Sequence, residues 1–591
     1  MAEALISPGV FLTENDQSQI TAGPITVGAA LIGPTVSGQV NIPTLVTSYS
    51  DFKASFGTSF ISGGTNYDYL TSQAAYNYFQ QGGTSLLVTR VASGSYTAAT
   101  ASVGSIGGNS SFVLETLSVG TVMNNNYSSS ASQTTKGLLP SGSTNNIRWE
   151  ITTVDTGSGL FTLIVRQGND TTTNKSVLET WSNLSLDPNQ NNYIEYIIGN
   201  RKPLVTSENG TYYIQNTGSY ANASNYIRVA SVTNPTPNYL NPVGQPYAYY
   251  TASMPQLGSG SLNGAFGGAS GAFYGGLDAT TWTTSAPLNM FESIPAVAAT
   301  TPTNNIQGLL ATDYDIAINL LANPDAYVYN SIYAPGITTQ NASAEISTLL
   351  TTAQNRGDAI AVVDMVSFGQ TIAAATSNAQ TYDNSYGATY WPWVQTRSTD
   401  TGKLHFVPAS TIIPGVYEYN DKVSAEWFAP AGLNRGGLPT VIQPERRLTV
   451  SDRNTLYAAK VNPIAVFPGQ GTVVYGQKTL QAKASALDRV NVRRLLIALK
   501  GYIGQIAQTL VFEQNTAVTR QKFLSQVNPY LDYVQQRQGL YAFRVVMDET
   551  NNTPDVIDRN LLVGAIYLQP TRTAEFIQLT FNVLPTGVTF G

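Results

Sequence analysis

Two spacings of apolar residues alternate along this chain, and the places where one gives way to the other divide it. From Ile25 the text ITVGAALIGPTVSGQVNIPTLVTSYSDFKASFG reads as a short apolar strand, a Gly-Pro turn, a second strand, and a short helix that Ser50-Asp51 is placed to cap. YLTSQAAYNYFQQGG then carries helical spacing up to Gly82-Gly83, and TSLLVTRV is an apolar run of strand length. Farther on, Ile306 to Leu321 predicts a helix closed by Asn323-Pro324. Tyr327 to Gly336 predicts a strand and turn, Ala342 to Arg356 an amphipathic helix, and Ala359 to Met365 an apolar strand with Asp364 at its end. Helices alternating with all-apolar strands imply a sheet covered on both faces, so the fold class is α/β.

Between Ala92 and residue 305 that alternation stops. Ser/Thr/Asn/Gly/Tyr-rich text with short β-prone runs, Asn146 to Asp155 and Leu160 to Gly168, predicts a β-rich surface domain inserted into the α/β core. Residues 229–277 carry no charge, but Pro235, Pro237, Pro242, Pro246 and repeated glycines exclude a membrane-spanning helix there. In the last part Leu487, Val490, Leu495, Leu499, Ile503, Ile506 and Leu510 recur at three- and four-residue steps. They predict one helix over Thr479 to Phe512, on the order of 50 Å long, with bends at Gly501 or Gly504. A second helix covers Thr519 to Gln538, and strands cover Tyr541 to Asp548, Leu561 to Gln569 and Ala574 to Val583, the last being terminal and open to pairing with another chain. Residues 1–24, with Pro8-Gly9 and Gly23-Pro24 and no helical period, predict an extended arm. The expected partition is an N-terminal arm (1–24), the first part of the α/β core (25–91), the inserted β-rich domain (92–305), the second part of the core (306–475), a C-terminal α+β domain (476–573) and a C-terminal strand or arm (574–591).

At 591 residues the chain has room for about four such units. Cysteine is absent and histidine occurs once, which removes Cys/His zinc sites, thiolate nucleophiles and disulfides. A Ser-His-Asp triad would need His405, and in the run LHFVPAS a lone polar residue reads as a hydrogen-bonded structural one. Asp364, at a strand's C-terminal end, is the best generic candidate for catalysis, with capping of a following turn or helix as the equal alternative. Gly471-TVVY-Gly476-Gln477-Lys478-Thr479 imitates a phosphate-binding loop, but Gln477 breaks the register on which the lysine's reach depends. Gly258 to Gly276 lacks the flanking strand and helix of a dinucleotide site, and Asp313 and Asp315 fall on different sides of a helix. No catalytic set, metal site or cofactor is expected. The N-terminus lacks a basic and apolar leader, so a soluble protein made in the cytosol is expected.

The formal charge of −6 is uneven. Residues 476–591 carry 12 Lys/Arg against 8 Asp/Glu, a net of +4, and residues 1–475 carry 18 against 28, a net of −10. Arg493, Arg494 and Lys500 are interleaved with apolar residues, which argues against nucleic acid and for a partner-facing helix surface.

Several stretches, in order, resemble the sheath subunits of contractile phage tails, the myovirus-type tail sheath family. They are SPGVFLTEND, VGAALIGPTVSGQVNIPTLVTSYSDFKASFG and YFQQGGTSLLVTRV, then APGITT, VVDM, ATYWPWVQ and FVPAS, and finally WFAPAGLNRGGL, LYAAKVNPIAVFPGQGTVVYGQKTL, VNVRRLLIALKGYIGQ and AEFIQLTF. The chain departs from the family's text at IIPGVYEYNDKVSAEWFAPAG, and residues 92–305 match nothing in it. The resemblance implies a sheath-type α/β core, stacked and usually hexameric rings of the chain around a tail tube, and arms that add strands to a small sheet in neighbouring subunits. It implies Phe11, Leu12, Phe576, Ile577, Leu579 and Phe581 as arm contacts between copies, and Arg493, Arg494 and Lys500 as residues facing the tube or an acidic neighbour. The partners it implies are the chain itself, the tail tube protein, and baseplate and tail terminator or neck proteins, with no nucleic acid bound directly and no membrane insertion. The location it implies is the virion tail, with host cytoplasm during assembly. A capsid-less, tailocin-like injection particle and a host-binding tail adhesin are the alternative readings.

Overall fold

The computed structural model describes residues 27–62, 65–125, 139, 141–271 and 309–575. In chain order, β1 (Val27–Gly33), β2 (Thr44–Val46) and α1 (Tyr49–Phe56) lead through the hairpin of β3 (Ser59–Ser62) and β4 (Thr65–Asp68) to α2 (Leu70–Gln80) and β5 (Leu86–Arg90). There follow β6 (Ala98–Gly104), β7 (Ser110–Val119), β8 (Ile147–Asp155), β9 (Leu160–Gln167), β10 (Val177–Ser185), α3 (Ile194–Ile198), β11 (Lys202–Glu208), β12 (Thr211–Thr217), β13 (Ile227–Val232) and α4 (Ala248–Ser253). The next stretch holds α5 (Asp315–Leu320), β14 (Tyr329–Thr338), α6 (Ser343–Arg356), β15 (Ile360–Asp364), α7 (Ile372–Gln380), β16 (Gly387–Trp391), β17 (Val394–Arg397), β18 (Leu404–Val407), α8 (Ile413–Val423), α9 (Gly432–Arg435), β19 (Val441–Pro444), α10 (Val450–Ala458), β20 (Asn462–Phe467) and β21 (Gly471–Val474). The C-terminal elements are α11 (Val490–Gln508), α12 (Ala517–Gln536), β22 (Leu540–Val546), α13 (Pro554–Asp558) and β23 (Ala565–Pro570).

One eight-stranded sheet of order β2-β5-β1-β14-β15-β16-β20-β21 organises the core. Its six inner strands pair in parallel, and β2 and β21 close the two edges antiparallel. Every position of β5, β15 and β16 is buried, as strands packed on both faces require. Helix α6 presents Ile346, Leu349, Leu350 and Ala353 to this sheet at helical spacing, and left-handed Gly357 ends it. The first short helix starts earlier than Ser50-Asp51 suggests. Ser48 is the N-cap, its hydroxyl accepting from the Asp51 N–H at 3.1 Å, while the Asp51 carboxylate accepts from the Thr47 N–H.

The chain leaves the large sheet after β5 and re-enters it at β14. In between lie small antiparallel sheets of order β13-β7-β6 and β10-β9-β8 and the β11–β12 ribbon, whose inward residues Phe112, Trp149, Ile151, Phe161 and Leu163 join the apolar cluster of the large sheet. In this charge-poor stretch Arg148 and Arg166 are fully buried and share the Asp170 carboxylate, and Arg166 also reaches Glu150 at 2.6 Å.

Two expected helices are shorter than their apolar spacing suggests. In the run predicted as Ile306 to Leu321, the described part is a single 3-10 turn, Ala311–Tyr314, followed by α5, because the Asp313 carboxylate accepts from the Leu310 N–H and starts the helix there. The predicted 479–512 helix begins only at Val490 and is about 28 Å long. Upstream, Leu480 N–H bonds to the Gly387 carbonyl, Thr479 N–H to that of Asp488 and Val490 N–H to that of Gln477, so tertiary partners take the amides that a helix would use. Among the described residues, no helix is long and apolar enough to cross a membrane.

Candidate assembly interface

Helices α11 and α12 and the β22–β23 ribbon have an apolar cluster of their own. Leu495 and Leu499 meet Phe523, Val527, Leu531 and Val534, and Leu540 and Met547 close it from the ribbon. Trp427, from the segment after α8, enters this cluster and donates its indole N–H to the Arg537 carbonyl at 2.9 Å. Val490 and Ile497 of α11 join the apolar cluster of the large sheet, and beside them the joint between this C-terminal unit and that sheet places cations on aromatic faces. Arg494 grips Asp421 with two hydrogen bonds of 2.8 and 2.5 Å and lies 4.7 Å over the Tyr417 ring. Burial alone would lower the Arg494 pKa, and Asp421 more than reverses this, so the guanidinium is held firmly charged. Arg493 lies 3.9 Å over Tyr386 and donates to Ser385, while Lys500 donates to the Tyr386 hydroxyl at 2.9 Å.

These placements correct the expectation for two of the three basic residues. Arg493 and Arg494 are each 4% exposed and turn inward onto the chain's own core, Arg494 onto Asp421 and the Tyr417 ring and Arg493 onto the Tyr386 ring and Ser385. Lys500 is exposed. The chain's last described residues are also clasped. Glu575 receives Arg489 at 2.6 and 3.0 Å, the Tyr457 hydroxyl at 2.9 Å and the Gln477 amide at 3.1 Å. Phe11 and Leu12, with the 1–24 arm, and Phe576, Ile577, Leu579 and Phe581, with most of the 574–583 strand, lie outside the described residues.

The β22–β23 ribbon pairs antiparallel from Val546↔Ala565 to Leu540↔Pro570, with no third strand among the described residues. Phe543, Val545, Ile566 and Leu568 pack toward the helical cluster, while Tyr541 and Tyr567 are exposed on the ribbon. Two strands alone are marginal in water, and their outer N–H and C=O groups suit a further strand.

The residues weighed for catalysis have the following places in the fold. Asp364 is buried at the end of β15 and accepts from the Ser410 N–H and hydroxyl, tying the sheet to the turn before α8. Burial pushes its carboxyl up to about 7, with the two Ser410 bonds pulling the other way. His405 is half-buried on β18 opposite Thr396. Gly471 opens β21, the second strand of a hairpin, and Lys478 is spent on the Tyr457 carbonyl at 2.8 Å. Sequence reasoning missed Asp421, Trp427, Tyr386 and Glu575. The signal for the first two was the acid-rich run after Ile413, the same place where the chain departs from the family's text.

Residues 311–480 match the family model described as the phage tail sheath protein central domain, and residues 482–584 match that of the phage tail sheath C-terminal domain. Both stretches are thus similar to phage tail sheath domains, and the joint described above lies where the two meet. Among individual relatives the chain is similar to the tail sheath protein of Vibrio phage KVP40, with 44% identity over 185 residues, 31% of this chain and 28% of that one. The tail sheath protein of Salmonella phage ViI is 30% identical over 296 residues, 47% of this chain and 45% of that one. The chain therefore spans less than half the length of these relatives. In three dimensions it shares the fold of a sheath tail protein from Listeria innocua, with a TM-score of 0.51 at 11% identity over 89% of both chains.

Proposed function

We propose that this chain is the structural subunit of a bacteriophage's contractile tail sheath. Copies polymerise as stacked, hexameric rings around a tail tube, and a baseplate trigger lets the metastable lattice collapse into a shorter, wider state that drives the tube through the host envelope. The observation that carries this reading is the consecutive match of 311–480 and 482–584 to the two sheath domains. The role is mechanical, with no catalysis. The partners are further copies, the tube protein, and the baseplate and neck proteins, and the location is the virion tail after assembly in host cytoplasm.

Strand addition supplies the hinge. Residues 1–24 and the segment after Glu575 supply strands to the β22–β23 ribbon of neighbouring copies, through Phe11 and Leu12 at one end and Phe576, Ile577, Leu579 and Phe581 at the other. Main-chain pairing holds neighbours together while the rigid cores rotate, and heterologous contacts that do not close on a ring build a helical tube. The clasp on Glu575 fixes the point from which the C-terminal segment departs. Negative-stain electron microscopy of the purified chain tests this: regular hollow tubes are expected, formed alone or on added tube protein. A chain lacking residues 1–20 is expected to stay folded and unassembled, and normal tubes from it would refute strand addition.

A further inference from the structure

At the end of the C-terminal unit farthest from the joint, apolar side chains stand in solvent. Phe512, in the loop from α11 to α12, is fully exposed at φ +69°, a left-handed conformation that a phenylalanine disfavours, and Val511 and Val518 near it are also exposed. This apex is braced. Asn515 donates to the Leu561 carbonyl at 2.8 Å and to the Asn552 amide oxygen at 3.2 Å, and buried Asn552 donates to the Val563 carbonyl at 2.8 Å. The loop is thereby tied to the segment between β22 and β23, whose Leu561 is half exposed. Five of the eight acids of residues 476–591, Glu513, Asp548, Glu549, Asp555 and Asp558, lie on these two segments. Of the cations at this end, Arg520 is buried and donates to Asn515, and Arg559 pairs with Asp555 at 2.9 Å. Lys522 and Arg544 stand farther back, along α12 and β22.

The opposite end of α12 has the complementary character. Arg537 donates to the Tyr533 hydroxyl and to the Ser424 carbonyl, which sets both side chains beside the exposed Lys422 and Val423 of α8. Gln535 donates to the Tyr541 carbonyl at 2.9 Å and brings in a second exposed tyrosine. Asp532 is one exposed acid against the two cations Lys422 and Arg537. Tyrosine and arginine side by side are the residues that most often anchor contacts between proteins. We propose that the apolar, acidic apex around Phe512 of one copy seats on this tyrosine and cation surface of a second copy. Residues 1–475 carry a net charge of −10 and would repel an acidic apex, whereas the surface around Arg537 attracts it. Unlike surfaces that meet in this way leave one of each free, so the contact propagates from copy to copy. The inference rests on the sheath reading for the presence of neighbouring copies and assigns them a point of contact other than strand addition.

Photo-cross-linking of the full chain, with p-benzoylphenylalanine in place of Phe512, reads the contact directly. The expected product is a dimer in which position 512 is joined to the peptides carrying Val423 or Tyr533 to Tyr541. The two ends of α12 are about 30 Å apart, so such a link forms only between copies. A link to any other surface, or no dimer at all, would overturn the proposal. Phe512→Asn removes the ring and suits the left-handed backbone. Self-association followed by sedimentation is expected to weaken at least about tenfold in this variant, while the melting temperature of the single chain holds or rises. Unchanged association would also overturn the proposal. Normal tubes from Phe512→Asn would remove the apex contact and leave the sheath reading standing. A parent chain that forms the linked dimer and never a tube would do the reverse.

Discussion

Arg494 lies under the C-terminal unit with Asp421 on one side and the Tyr417 ring on the other, so truncating it leaves a largely enclosed carboxylate without its cation. Arg494→Ala is expected to destabilise the chain by about 3 kcal/mol in urea unfolding, far more than an exposed pair is worth. A loss under about 1 kcal/mol would mean that solvent already screens the pair. Asp364 makes the opposite kind of prediction. Its folded value of about 7 stands above the ordinary range, so its contribution is fully present below about pH 4 and is lost as the pH rises through 7. Asp364→Asn removes that penalty while keeping an acceptor for Ser410. The variant is expected to match the parent chain near about pH 5 and to exceed it in melting temperature near about pH 8. Equal stability at both would show that the carboxyl is not held neutral.

Helix α11 carries two glycines, Gly501 and Gly504, and a Cβ built on either meets nothing within 4 Å. Their backbone freedom serves no close approach inside the chain, so Gly501→Ala and Gly504→Ala are each expected to raise stability by up to about 1 kcal/mol in the same unfolding measurement. Losses instead would reveal a local conformation that alanine resists. At this scale the reasons for what was legible are visible. The strands β5 and β15 were readable because burial on both faces leaves an unbroken apolar run, and α6 because Ile346, Leu349, Leu350 and Ala353 keep one face. Residues 479–489 misled because their apolar spacing continues that of α11 while their amides are held by Gly387 and by one another across a turn. Three acids between Glu418 and Glu426 look like a solvated helix face. They become a joint only through Arg494, which stands 73 residues away from Asp421.

Across the whole molecule the charge division acquires a physical address. Of the cations that make residues 476–591 net positive, Arg494 is paired with Asp421 of the core, and Arg489 with Asp488 and Glu575 of its own unit. Part of the attraction between the two regions is therefore spent inside each copy, where salt screens it weakly. What remains for contacts between copies is the set of exposed cations on the C-terminal unit, Lys483, Lys500, Lys522, Arg537, Arg544, Arg559 and Arg572, set against a remainder of the chain with a net charge of −10. If assembly joins the positive unit of one copy to the acidic body of another, raising salt from about 50 mM to about 500 mM shortens the screening length severalfold. The concentration at which tubes first form, followed by light scattering, is then expected to rise with salt, and Lys522→Glu, at an exposed position, is expected to raise it further at low salt while leaving the melting temperature of the single chain nearly unchanged. A salt-independent onset would assign the lattice to main-chain pairing and apolar contact instead, because strand addition at the β22–β23 ribbon joins neutral peptide groups that screening does not reach.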